Sequence, residues 1–200
     1  MDQVGKHLTD QLNLIEGLIL EGRRSMETWG WMFVLWGIGH VGAISWSYLS
    51  PESQGLPWLL LMSACGIVTA GGCARAALRG GKSTVMGRAQ GATWAAFCIS
   101  LALLWTTGIA TRQLDFQNLS TFYQPFFALI GGANFTSGIT VKLPAQTAVG
   151  VLWWVSTSVI MFMPEVTLWA LMAMAVVGEI AFGLYLMSLE RRRETSVPPA

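Results

Sequence analysis

Six long stretches with almost no charged residues determine what this chain can fold into. Each is 19 to 23 residues long, and the only charged side chains inside them are Arg75 and Glu179. A helix of about 20 apolar residues crosses the hydrocarbon core of a bilayer, whereas a surface helix of a soluble protein has a polar face. The sequence therefore predicts an all-α integral membrane protein with six transmembrane helices, over residues 29–50, 57–78, 91–111, 121–141, 145–163 and 166–188.

The composition agrees with a membrane protein and excludes several other classes. Charged residues make up 12% of the chain, which is half of the usual share of about 25%. A net charge of +1 with 53% hydrophobic residues excludes intrinsic disorder and leaves no basic surplus for binding nucleic acid. The expected surroundings are therefore the lipid bilayer, and no nucleic-acid partner is expected.

The basic residues concentrate on one side of the predicted membrane domain. If the N-terminus is inside, eleven of the twelve Lys and Arg residues lie on the inner side and only Arg112 lies outside. Because basic residues concentrate in cytoplasmic loops, we expect both termini to be cytoplasmic, in a plasma or bacterial inner membrane. Residues 121–141 are the least apolar of the six stretches, but they are predicted to cross because the basic run at 190–194 would otherwise lie outside.

The segments before and after the membrane domain have different patterns. Residues 1–28 place Val4, Leu8, Leu12, Ile15 and Ile19 at helical spacing, which predicts a short amphipathic helix. Helices that rest on an anionic leaflet are usually basic, and this segment carries more acidic than basic residues. Pairing in a homodimer or with a partner protein, and resting on the bilayer or on the protein's own loops, are both open. Residues 189–200 are predicted to form a disordered cytoplasmic tail.

Helix starts and one helix contact can also be read from residue types. Pro57 and Pro144 lie near predicted helix starts, where the missing N–H of proline costs little. Gly66, Ala70 and Ala74 follow each other at intervals of four residues, which predicts a small-residue ridge in close contact with another helix.

Three polar side chains inside the spans need a physical account: His40, Asn134 and Glu179. At a rise of about 1.5 Å per residue, all three are predicted to lie in one layer, slightly toward the cytoplasmic side. An unpaired carboxylate at that depth costs at least ~2.5–3.5 kcal/mol, and His40 is the only titratable partner at a similar depth. The three are either a proton-responsive or substrate-binding cluster, or a hydrogen-bonded plug that holds the helices in register.

These features favour a small transporter or solute-binding membrane protein that uses His40, Asn134 and Glu179 as its binding residues. The alternative is a non-catalytic scaffold or accessory subunit that holds a partner through the N-terminal helix. The sequence shows no nucleophile with an adjacent base and no set of metal ligands. We therefore predict no catalytic residues, no cofactor and no metal, and an enzyme is the least favoured class.

Overall fold

The computed structural model describes residues 2–50, 52, 55–78, 85–113 and 119–196, and these residues contain helices and turns but no strand. In the described part of the chain, two consecutive helices, α1 and α2, are followed by five further helical segments. The last segment is composite: a short 3-10 turn leads into α7, a π-helical segment and α8. The bounds are α1 Asp2–Thr28, α2 Gly30–Leu49, α3 Gly55–Leu78, α4 Val85–Ala110, α5 Leu119–Thr140, α6 Pro144–Phe162, the 3-10 turn Pro164–Val166, α7 Thr167–Met174, the π-helical segment Ala175–Ala181 and α8 Phe182–Ser196.

The predicted all-α fold is confirmed, and each of the six predicted stretches is helical. Among the described residues, five helical segments are long and apolar enough to cross a membrane: 6–49, 56–78, 85–110, 144–162 and 164–193. Helix α5 is not among them, since Gln124, Asn134 and its glycines and threonines lower its mean hydropathy. That α5 also crosses the membrane therefore stays a prediction.

Pro144 and Trp29 each lie at a helix boundary, whereas Pro125 lies inside a helix. Pro144 is the first residue of α6, where its fixed φ suits the first helical turn. Helix α5 continues through Pro125. Trp29 interrupts the helix between α1 and α2, yet Trp29 N–H still donates to the Met26 carbonyl and Met32 N–H to the Trp29 carbonyl. The two helices therefore follow each other with one break and no loop.

Glycines allow the closest helix contacts. At the α5–α6 hairpin, a Cβ on Gly150 would lie 2.5 Å from the Phe135 nitrogen, and one on Gly131 would lie 2.6 Å from the Trp154 ring. Where α2 crosses α8, a Cβ on Gly30 would lie 2.8 Å from the Gly183 carbonyl. The core between these contacts is largely aromatic and aliphatic, and its most buried members include Phe127, Trp153, Ile160, Leu171 and Leu186.

The small-residue ridge on α3 does not pack in the predicted way. A Cβ placed on Gly66 would meet nothing within 4 Å, and Ala70 and Ala74 are exposed. Helix α3 instead contacts α2 through Cys65, whose thiol donates to the Leu35 carbonyl, and through Thr69. The prediction of a close contact within this chain was wrong, because the spacing of small residues does not say which face of a helix meets a neighbour.

The chain ends also differ in part from expectation. Helix α1 forms as predicted and exposes the apolar side chains of Leu8, Leu12 and Ile15, while its last two turns pack against the bundle. The tail was predicted to be disordered from residue 189, but α8 continues to Ser196. This is a correction for residues 189–196, and its physical reason is an ion pair between α8 and α1 that is described below. Residues 197–200 lie outside the described part of the chain.

Candidate functional site

His40 and Glu179 meet inside the bundle, although they are 139 residues apart in the chain. His40 Nδ1 lies 2.8 Å from Glu179 Oε2, and both side chains are almost completely buried, with 6% and 3% of their surface exposed. Either the Nδ1–H of the imidazole donates to a Glu179 carboxylate, or a Glu179 carboxylic acid donates to Nδ1. The pair is neutral as a whole when an imidazolium faces the carboxylate or a neutral imidazole faces the carboxylic acid, and this neutral form avoids the cost of an isolated charge among apolar helices.

The local backbone around Glu179 is unusual. Glu179 lies in the π-helical segment, where each turn holds an extra residue. Val176, Val177 and Gly178 are poor helix formers, which is consistent with a departure from α geometry at this point. Such π segments occur mostly as single turns inside α-helices and often at functional sites.

Small residues let α2 and the π-helical segment approach each other at the pair. A Cβ on Gly37, one turn before His40, would lie 2.9 Å from the Ala175 carbonyl and 3.0 Å from Glu179 Cβ. A Cβ on Gly178 would lie 3.1 Å from Trp153 Nε1. The distance between His40 and Glu179 therefore depends on glycine at position 37, whereas Gly178 lets the π-helical segment pack against Trp153 of α6.

Aromatic rings enclose the pair. The imidazole centroid of His40 lies 6.1 Å from the Trp36 ring, 6.1 Å from the Trp58 ring and 5.3 Å from the Phe126 ring. The Trp36 indole N–H donates to Thr69 Oγ1 at 3.1 Å, which holds this ring in place. The pair is thus shielded from water in this conformation, and low local polarity strengthens its hydrogen bond.

Asn134 does not join the pair by a hydrogen bond. Its Nδ2 donates to the Ile130 carbonyl of its own helix at 3.0 Å, and its Oδ1 has no partner. Along α5 it lies eight residues from Phe126, the residue whose ring contacts His40, which is about 12 Å of helix. The structure therefore brings together two of the three predicted residues and places the third nearer the end of α5.

Asn134 lies at the same end of the bundle as three other buried neutral polar side chains, and we call these four residues the amide layer. Ser137 is one turn along α5 on the same face, and Gln90 Nε2 of α4 donates to the Ser137 carbonyl at 3.3 Å. Gln146 lies in the first turn of α6, next to Thr147, which packs against Gly138 of α5. The amide layer consists of Gln90, Asn134, Ser137 and Gln146, all of them buried.

The amide layer contains hydrogen-bonding atoms that the protein itself does not satisfy. Gln90 Oε1, Asn134 Oδ1, Ser137 Oγ and both amide atoms of Gln146 are buried without a partner. A buried donor or acceptor without a partner costs about 1–3 kcal/mol, and such groups are normally satisfied by ordered water or a ligand. These atoms are therefore the groups at this end of the bundle that an ordered water or a small polar ligand would satisfy.

Sequence reasoning missed Gln90, Ser137 and Gln146. Gln90 lies one residue before the predicted third span and Gln146 lies at the start of the predicted fifth, where polar side chains are ordinary. Neutral amides also cost less in an apolar medium than charges do, so they are a weaker sign of function in a sequence. An amide within a turn of a span end was the signal that could have found Gln146.

Sequence reasoning also missed a buried charged residue, Glu27, near the end of α1. Glu27 Oε2 lies 2.9 Å from an Arg193 guanidinium nitrogen and Oε1 lies 3.4 Å from Arg23 Nε. Only 2% of the glutamate side chain is exposed, and about one third of each arginine. The three residues, which we call the Glu27 ion triad, join α1 to α8.

Among the residues that the structure describes, no three His, Cys, Asp or Glu side chains converge in a way that could hold a metal ion. Comparison of this chain with protein-family models, curated proteins and solved structures finds no significant match.

Proposed function

We propose that this protein is a small transporter that moves an uncharged polar solute across a membrane and couples that movement to a proton on the His40–Glu179 pair. The observation that carries the proposal is the buried hydrogen bond of 2.8 Å between these two ionisable side chains, at a π-helical turn inside the bundle. Ionisable residues within membrane spans are rare and commonly mark proton or substrate pathways.

The chemistry of the pair suits the reversible binding of one proton. Movement of the shared proton from Nδ1 of His40 to Oε2 of Glu179 converts an imidazolium and a carboxylate into an imidazole and a carboxylic acid, with no change in total charge. Loss of that proton to one side of the membrane would leave a net negative charge, which apolar surroundings disfavour. The enclosed pair corresponds to an occluded conformation, and separation of α2 from the π-helical segment would expose it.

The chemistry of the amide layer favours an uncharged molecule as the transported solute. Its four side chains carry no charge, so they offer no compensation for an anion, and their unpartnered atoms include both donors and acceptors. The enclosure of these groups suits a molecule with a few heavy atoms. Small amides and polyols, such as urea and glycerol, have that chemistry and serve as the first probes.

The orientation proposed for the transporter follows the basic residues. We place both termini in the cytoplasm and α5 across the membrane, because eleven of twelve Lys and Arg residues then lie inside. This arrangement puts the amide layer on the cytoplasmic side of the His40–Glu179 pair.

The test is solute flux into proteoliposomes, measured by light scattering after an osmotic step with urea or glycerol, with a pH-sensitive dye inside. Wild-type protein is expected to admit a probe together with a pH change. Glu179→Gln keeps the side-chain shape but removes the ionisable group, so the coupled flux should fall at least tenfold. Gln146→Leu should lower solute flux by removing donors and acceptors from the amide layer.

Glu165→Gln is the matched control, since Glu165 is an exposed carboxylate in the 3-10 turn. It should leave both the flux and the pH change as in the wild type. Equal rates for wild type, Glu179→Gln and empty liposomes with both probes would contradict the proposal.

A second function is a scaffold or accessory subunit that holds a homodimer or another protein through α1. The specific observation in its favour is the uncovered apolar face of α1, on which Leu8, Leu12 and Ile15 are each more than half exposed. The aromatic enclosure of His40 also suits a purely structural pair. A folded protein without solute or proton flux would favour this second function.

A further inference from the structure

A shallow groove, open along most of its surface, lies on the outside of the α5–α6 hairpin, at the end where α5 finishes and α6 begins. Its volume is about 440 Å³. Its walls are almost wholly apolar and include Gly138, Ile139, Leu143, Thr147 and Val151, and Lys142 is the one charged residue that lines it. The groove exists because Gly138 packs directly on Thr147, which leaves no side chain to fill the space above the contact.

Lys142 occupies a backbone position that favours glycine. Its φ is 51°, in the left-handed region that side chains with a Cβ rarely adopt. This residue closes α5: the Lys142 N–H donates to the Ile139 carbonyl, and the Leu143 N–H donates to the Gly138 carbonyl. The turn therefore holds the exposed lysine at the mouth of the groove.

The groove combines a positive end with an apolar floor. Helix α6 begins at Pro144, so the positive end of its backbone dipole lies beside the lysine. Ile139 and Val151, which line the floor, are both exposed on the outer face of the hairpin. A ligand that fits has a negative head group next to a long apolar part.

We propose that this groove binds one anionic phospholipid, with its phosphate at Lys142 and an acyl chain along Ile139 and Val151. Basic residues between transmembrane helices near the cytoplasmic surface are known to hold anionic lipid head groups. The proposal rests on α5 and α6 standing in the bilayer and is independent of transport.

Arg112 provides a matched control within the same chain. It ends α4 in the same way as Lys142 ends α5: its φ is 58°, and the next N–H, of Gln113, donates to the Gly108 carbonyl. Arg112 does not line the groove. Lys142→Gly and Arg112→Gly each remove one basic charge and each place glycine where the backbone favours it, so neither change should impair folding.

The experiment measures lipid retention by the full-length protein in detergent, by native mass spectrometry, with phosphatidylglycerol or phosphatidylcholine carrying identical acyl chains. The wild type and Arg112→Gly should retain the anionic lipid about fivefold better than the neutral one, the preference expected from one basic residue near a membrane surface. Lys142→Gly and Lys142→Gln should lose this preference. Val151→Trp should fill the groove and lower retention of both lipids.

Inorganic phosphate serves as a competitor in the same experiment, because it carries the negative charge of the head group without an acyl chain. It should not compete with the bound lipid at equal concentration. The proposal is overturned if the wild type shows no preference for the anionic lipid, if Lys142→Gly retains the preference, or if phosphate alone displaces the lipid.

Discussion

Glu27 joins the first helix to the last one through ion pairs. It lies in the last turn of α1 and contacts Arg193 of α8 and Arg23 of its own helix. The glutamate is buried, whereas both arginines keep part of their surface in solvent. Such a partly screened pair stabilises less than a fully buried one, but removal of the buried partner leaves two arginines without compensation.

We expect Glu27→Gln to lower the free energy of unfolding by about 1–2 kcal/mol, since one carboxylate compensates two guanidinium groups that remain partly screened by solvent. Unfolding in mixed detergent micelles would measure the change. Glu21→Gln, an exposed carboxylate on the same helix, should change the stability by less than ~0.5 kcal/mol. Equal effects of the two substitutions would show that the Glu27 ion triad does not stabilise the fold.

Residue types predicted the charged pair in the membrane better than they predicted the neutral polar groups. The sequence identified His40 and Glu179 as ionisable side chains at a similar depth, and the structure shows that they are hydrogen-bonded to each other; their role in binding stays a prediction. It could not group Asn134 with Gln90 and Gln146, because these residues come from three different helices. A neutral amide also costs less free energy in a membrane than a charge does, so a single Gln or Asn in a span is a weaker indication of a functional site.

At the scale of helices, the contact between α2 and the π-helical segment determines the geometry of the pair. Gly37 is the closest point of that contact, with the Ala175 carbonyl and the side chains of Glu179 and Ile180 within reach of a Cβ. A backbone carbonyl cannot rotate away as a flexible side chain can. A larger residue at position 37 must therefore move one helix.

Gly37→Ala should destabilise the protein by about 1–3 kcal/mol, the usual range for overpacking, and should lengthen the distance between His40 and Glu179. The free energy of unfolding and the ¹⁵N chemical shift of the His40 ring would report the two effects. Gly71→Ala is the control, because a Cβ there meets nothing within 4 Å and alanine favours helix by about 1 kcal/mol. A neutral Gly37→Ala variant with an unchanged histidine signal would contradict this account.

The extension of α8 and the exposed ridge on α3 show that the residue pattern of one helix does not report its contacts with other helices. Polarity and two prolines suggested that the chain is disordered after residue 188, yet Arg193 finds a partner on α1 and the helix continues. The ridge at Gly66 has the spacing of a packed face, but α3 uses another face toward α2. Both outcomes depend on a second helix.

For the whole molecule, the proposed orientation places Arg112 and Lys142 on opposite sides of the membrane. Both are exposed and lie at the ends of α4 and α5. The accessibility of these two positions therefore tests whether α5 crosses the membrane, which the hydropathy of α5 does not decide.

We expect a membrane-impermeant maleimide to label Arg112→Cys in intact cells and to label Lys142→Cys only after permeabilisation. The background would carry alanine in place of Cys65, Cys73 and Cys98, which are free cysteines. Labelling of both positions in intact cells, or of both only after permeabilisation, would show that α5 does not cross.

The sequence by itself determined the helices and most of their bounds, because length, hydropathy and proline act over neighbouring residues. It also identified the two ionisable side chains that require partners in an apolar medium. Only the tertiary structure decided which faces meet, that Glu179 lies in a π-helical turn, that four neutral side chains form the amide layer, and that Lys142 stands at an apolar groove. Each of these depends on distances between helices that are far apart in the chain, and the packing of side chains against one another sets those distances.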